Sequence, residues 1–174
     1  MAEERITFNQ VTELLAGSRG VAGKRTFFFL AGDHAGWARV WLEKEQLRAL
    51  GDGIEELLAT LPEAARSTES GHLSPAEPRG EPVADFRGGR LGLGHDADRD
   101  LVVLMVEDGD PTATPPVNLQ FSATRAQMKA LADRIVEVCA AGRPVCPLCG
   151  TPMDPAGHVC VRSNGHHPRE AAAQ

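Results

Sequence analysis

Two amphipathic helical stripes recur in this chain 81 residues apart, from Leu47 to Met128. Leu47, Leu50, Ile54, Leu57 and Leu58 fall at spacings of 3, 4, 3 and 1, and Met128, Leu131, Ile135, Val138 and Cys139 repeat those spacings. Gln46, Ala49, Asp52 and Glu56 match Gln127, Ala130, Asp133 and Glu137 in the same register. An apolar stripe of this kind has to be buried against another element, and similarity at a fixed period is the signature of an internal repeat.

Strand-like segments rich in β-branched and aromatic residues precede each helix. In the first half they are 25–30 (RTFFFL) and 38–42 (ARVWL), and in the second 100–107 (DLVVLMVE) and 117–121 (VNLQF). Leaders at 6–15 and 83–93 supply one further strand each. The expectation is an α+β fold built from a β-β-β-α unit used twice, over 1–61 and 83–142. Two such units make a mainly antiparallel sheet with both helices on one face. Thr124 and Gln127 have the spacing of a capping box at the second helix. Pro62 ends the first helix at Leu61. Gly51 and Gly53 each weaken that helix by about 1 kcal/mol relative to alanine, so packing must hold it.

Residues 62–82 (PEAARSTESGHLSPAEPRGEP) carry almost no apolar content. That composition predicts a flexible linker, and 166–174 a disordered tail. The net charge of -6 and pI near 5.5 argue against a general phosphate-binding surface. MAEERITFNQ has no apolar stretch of the secretory kind, and no run approaches the ~20 apolar residues of a membrane helix. The expected location is the cytoplasm, with no membrane contact.

In a reducing compartment, cysteines crowded together are read as a metal site before a disulfide framework. Cys146 and Cys149 form a C-P-L-C-G turn, and His158 and Cys160 lie two apart in G-H-V-C, so each pair can point at one ion. These four are the expected ligands of one structural Zn2+ in a zinc knuckle over 143–165, with His166 or His167 as substitutes for His158. Four protein ligands leave no open position for a water. A deaminase-type catalytic zinc needs H-x-E upstream, and His34, His72 and His95 are followed two places on by Gly36, Ser74 and Ala97.

Other features read as ordinary structure. Cys139 lies on the helix stripe as a small core residue. The stretch SRGVAGKR lacks the first glycine of a phosphate loop and is expected to be a hairpin turn, where Arg19, Lys24 and Arg25 are candidates to hold an anion. Asp96, Asp98, Asp100 and Glu107 imitate a calcium loop, but Leu101 stands where that loop demands glycine. His34, beside Asp33, is expected in a solvated turn.

The stretches GKRTFFFLA, VWLEKEQLRAL, LGLGHDADRDLVV and AAGRPVCPLCGTPMDPAGHVC resemble the DUF3090 family, a family of uncharacterised bacterial proteins best represented in actinobacteria. The resemblance spans roughly 7–165. The sequence departs from the family pattern at Val161, where proline is usual, and at His166, where an aromatic residue tends to follow the N-G pair. The resemblance implies no activity. Family genes tend to lie near those for a phosphoinositide-kinase-like and a histidine-phosphatase-like protein, which implies at most a shared process.

The expected function is therefore that of a non-enzymatic zinc-binding adaptor with a protein partner. One alternative is an enzyme with a small-molecule or phosphorylated substrate in a cleft between the halves, using Lys24, Arg25, His34, His95 and Arg99. Another is nucleic-acid binding through the knuckle, with Arg143, Arg162, His166, His167 and Arg169 on phosphates, which the acidic pI disfavours.

Overall fold

A computed structural model describes residues 4–21, 23–62, 71–141, 146–149, 153 and 160. It divides into two units, Met1–Ala140 and Ala141–Gln174. The first holds nine elements: β1 (Glu4–Phe8), β2 (Glu13–Arg19), β3 (Thr26–Asp33), β4 (Gly36–Leu42), α1 (Lys44–Thr60), β5 (Ala84–Asp96), β6 (Leu101–Asp108), β7 (Val117–Thr124) and α2 (Arg125–Ala140).

The strands form one sheet in the order β1-β7-β6-β5-β4-β3-β2. Pairing is antiparallel within β2-β3-β4 and within β5-β6-β7. It is parallel where β4 meets β5 and where β1 meets β7. The fold is thus α+β with a mainly antiparallel sheet and two helices, as the alternation of strand-like and helical segments predicts. The leader 6–15 differs from its expectation. It is two strands, and β1 joins the second half of the sheet through Ile6↔Leu119 and Phe8↔Phe121. A local pattern carries no information on which distant strand a segment will pair with, and this pairing is wholly non-local.

The two edge strands are consecutive in the chain, which means the sheet cannot be flat. Six steps of about 4.8 Å would separate β1 from β2 by about 29 Å. The five residue-to-residue steps from Phe8 to Glu13 can span at most about 18 Å. The sheet therefore curls its edges toward each other. The Val11 N–H donates to the Ser122 carbonyl on β7, and the next residue, Thr12, donates to the Gly32 carbonyl on β3.

One hydrophobic core takes the helix stripes and a single sheet face. Leu47, Leu50 and Ile54 of α1 and Met128, Leu131 and Ile135 of α2 join Phe29, Val40, Leu104 and Phe121 there. Gly51 is buried, and a Cβ on it would stand 3.0 Å from Ile135. The propensity that this glycine costs α1 is offset by the close helix approach it permits. On the opposite face Phe28, Leu30 and Trp37 form a second, smaller apolar cluster with Leu15 and Trp41. Because β3 is covered on both faces, it reads as an unbroken apolar run instead of an alternation.

Both helices begin in a capping box. The Thr124 N–H donates to Gln127 Oε1 (2.9 Å), and the Gln127 N–H donates to Thr124 Oγ1 (3.1 Å). In α1 the pair is Glu43 and Gln46, with Glu43 N–H to Gln46 Oε1 at 2.9 Å.

The described part of the expected linker, 71–82, is anchored as a strap. Ser74 is 6 % exposed, and its Oγ accepts the Leu14 N–H at 3.0 Å while its own N–H donates to the Leu14 carbonyl. Its hydroxyl also donates to Glu13. Leu73 packs on the core. Gly71 lies so close to α2 that a Cβ there would stand 2.0 Å from the Ala126 carbonyl oxygen. Composition counts apolar surface and is blind to polar anchors of this kind. Residues 63–70 and the expected tail, 166–174, lie outside the described residues.

Candidate metal centre

In the second unit Cys146, Cys149 and Cys160 bring their sulfurs within 4.8 Å of one another. Cys146 and Cys149 flank a turn through Pro147 and Leu148, and Cys146 is buried. The Cys146 and Cys160 sulfurs are 3.7 Å apart. A disulfide requires about 2.05 Å, so these are separate thiols. Two thiolates on a tetrahedral Zn2+ with Zn–S of about 2.3 Å stand about 3.8 Å apart. The observed separation thus fits shared coordination of such an ion. His158, His166 and His167 lie outside the described residues, as do Arg143, Arg162 and Arg169.

The remaining candidates do not gather into one site. Lys24 and Arg25 sit in the turn between β2 and β3, as the broken phosphate-loop pattern predicts. His34 is exposed in the β3–β4 turn, where Asp33 Oδ1 accepts the Ala35 N–H. The two turns lie at opposite ends of β3, whose eight residues span about 26 Å. Asp96 caps its own turn by accepting the N–H groups of Asp98 and Arg99. Arg99 in turn donates to the Asn9 carbonyl. Among the described residues no other group of three His, Cys, Asp or Glu is placed to hold a metal. Cys139 packs against the core, and burial pushes its thiol pKa above the ordinary value, away from nucleophilic use.

Two polar clusters were not legible as units in the sequence. In the first, Arg125 donates through Nε (2.8 Å) and Nη2 (2.6 Å) to Asp100 Oδ1, which also contacts His95 Nε2 at 2.9 Å. Arg125 Nη1 donates to the Pro62 carbonyl at 2.6 Å, so one guanidinium ties the β5–β6 turn to the end of α1. Asp100 has a φ of 51°, a left-handed conformation that aspartate tolerates better than most residues. The second cluster joins Trp37, Arg39 and Trp41 of β4. Their alternation at i, i+2 and i+4 places all three on one face, and that spacing was the available signal.

Hydrogen bonds from Arg125, then from His95, hold the Asp100 carboxyl below its ordinary pKa. A depressed folded-state pKa adds stability above the unfolded value of about 3.9 and loses it as pH falls through the folded one. Asp100→Asn keeps a residue suited to positive φ and removes only the charge. It is expected to lower the melting temperature by a few degrees at pH 7, and the gap should close only below about pH 3.9 in a pH series of melts.

A sequence model of the family described as "Protein of unknown function (DUF3090)" matches residues 6–160, a span that includes all three clustered cysteines. No curated protein and no solved structure matches the chain.

Proposed function

The chain belongs to the DUF3090 family, and from that premise, which brings no activity with it, we propose a zinc-binding protein that acts as a non-enzymatic adaptor. The observation that carries the metal reading is the 3.7 Å separation of the Cys146 and Cys160 sulfurs within a three-thiol cluster. Cys146, Cys149 and Cys160 supply three thiolates, and His158 supplies the fourth ligand. The bound ion cross-links a segment too short to build a core. A closed donor set of this type is structural instead of catalytic. Reduced thiols suit the cytoplasm, where we place the protein. No helix among the described residues is long and apolar enough to cross a membrane.

Elemental analysis of purified protein is expected to give about one zinc per chain, the stoichiometry of a single four-ligand site. Cys146→Ser should lose the metal, because it removes the buried thiolate. Protein purified without zinc, and unaffected in stability by a chelator, would overturn the assignment.

The cavities support the adaptor over the enzyme. The space between α1 and α2, one from each half, is about 230 Å3 and is lined by Lys44, Arg48, Asp52 and Cys139 among others. Ligand pockets usually run from about 300 to 1,000 Å3. A larger groove of about 590 Å3 lies along β1, β7 and β6, with Arg5, Glu107, Asn118 and Gln120 in its walls. Its lining includes no histidine, cysteine, serine or threonine, and its two carboxylates are engaged in the fold, Asp108 accepting the Asp110 and Val117 N–H groups and Glu107 facing Arg90. A protein partner would meet the knuckle at Leu148, which is 56 % exposed.

We also read the repeat as a duplication of one β-β-β-α unit. Gln46 and Gln127, 81 positions apart, both cap their helices and both donate to a backbone carbonyl, at Gly89 of β5 and at Val11 in the β1–β2 connection respectively. Those carbonyls are 78 apart, as are Phe86 and Phe8, which pair with Val40 and Phe121. In this reading β1 stands to β7 and α2 as β5 stands to β4 and α1.

A further inference from the structure

Four aromatic–cation contacts concentrate on one face of β2, β3 and β4. The Arg19 guanidinium lies 5.9 Å from the Phe28 ring centre and 5.7 Å from that of Trp41. Arg39 lies 4.9 Å from Trp41 and 5.7 Å from Trp37. Both arginines close on one carboxylate. Arg19 Nη2 donates to both oxygens of Glu77 at 2.7 Å, and Arg39 Nη1 donates to Oε2 at 2.9 Å.

One arm of the clamp is held independently of its occupant. Arg39 is held from the other side by a second carboxylate, Asp85, which is fixed by the Trp41 indole N–H at 2.6 Å. With Glu77 in place the Arg39 side chain is 11 % exposed, and the Asp85 contacts through Nε and Nη2 leave Nη1 directed at Glu77. The occupant, in contrast, is loosely supplied. Glu77 belongs to the strap between Ser74, bonded to Leu14, and Val83, whose N–H donates to the Trp37 carbonyl. Among the described residues the only hydrogen bonds made by 75–82 are those of the Glu77 carboxylate. Pro75, Ala76, Arg79, Gly80 and Glu81 are exposed.

One further observation points to a ligand. The Trp37 indole N–H is buried and has no acceptor among the described residues. A buried donor left unmatched in an aromatic cluster is a group that an acceptor can satisfy. Guanidiniums stacked on aromatic faces and forked toward one point match the planar or tetrahedral oxygens of a carboxylate or phosphate.

We propose that Arg19 and Arg39 form a binding site for a small molecule bearing a carboxylate or phosphate monoester, and that Glu77 of the strap fills this site until such a ligand displaces it. The site lies in the first unit, and its test is independent of the zinc assignment.

The chain has two tryptophans, Trp37 and Trp41, so intrinsic fluorescence reports on this cluster alone. Full-length protein and Glu77→Gln are titrated with phenyl phosphate and with benzoate at constant ionic strength. Glu77→Gln is expected to give a saturable change with an apparent Kd about tenfold lower than the parent's, since a tethered competitor acts at millimolar effective concentration. The response should vanish in Arg19→Gln/Glu77→Gln. A response to phenyl phosphate alone assigns a phosphate monoester, and equal responses assign oxyanions in general. No saturable change with either probe, or one that survives loss of Arg19, overturns the proposal. Circular dichroism confirms folding. Should Glu77→Gln not fold, Glu77→Asp, which retains the charge but shortens its reach, decides in the same way.

Discussion

Phe121→Ala is expected to lower the unfolding free energy by about 3–5 kcal/mol. The ring is fully buried on β7, between Phe8 on β1 and Leu104 on β6, and its centre lies 6.0 Å from that of Phe29 on β3. It therefore ties together strands from both halves of the chain, joining the β1 edge to β3, the neighbour of the other edge. Truncation loses the transfer energy of the ring and opens a cavity that packed neighbours fill only in part. Urea unfolding should show a lower midpoint with an unchanged m-value, and the melting temperature should fall by about 6–20 °C. Met105→Ala is the control. Met105 lies on the same sheet but is 46 % exposed, and its loss should change stability by no more than about 0.5 kcal/mol. Equal effects would mean that the core is not where the fold puts it.

Replacing residues 72–81 with ten glycines and serines is expected to lower stability by about 2–5 kcal/mol, from three losses. The first is the partial burial of Leu73, at up to about 1.5 kcal/mol. The second is the Ser74 hydroxyl, which leaves the buried Leu14 N–H without its acceptor at about 1–3 kcal/mol. The third is the Glu77 ion pairs, which are partly exposed and add less than about 1 kcal/mol. Composition alone predicts no change, because it treats the segment as solvated chain. A melting temperature equal to the parent's would mean that the contacts of Ser74 do not persist in solution.

The helices were legible because their signals are local. The apolar stripes at Leu47–Leu58 and Met128–Cys139 and the Thr124–Gln127 box each lie within one element, where spacing and geometry are directly coupled. The same holds for Cys146 and Cys149, whose convergence is set by a two-residue turn. What escaped was non-local. Nothing in ERITF says that it will pair in parallel with VNLQF more than a hundred residues on. Ser74 is one hydroxyl in a polar stretch, and its role is fixed by Leu14, 60 positions away. Arg39 likewise draws its partners from 38 and 46 residues downstream. Single polar contacts leave no periodicity to detect, even where they decide which segments are held.

The parallel pairing of β1 with β7 has a consequence for synthesis. Glu4–Phe8 is made more than a hundred residues before its partner, Val117–Thr124. Until then β1 is a short strand without a neighbour, while β2, β3 and β4 can already assemble as a meander. The sheet is finished by its earliest-made strand, so a nascent chain stalled before Val117 should leave residues 4–8 open to proteases that spare β2–β4.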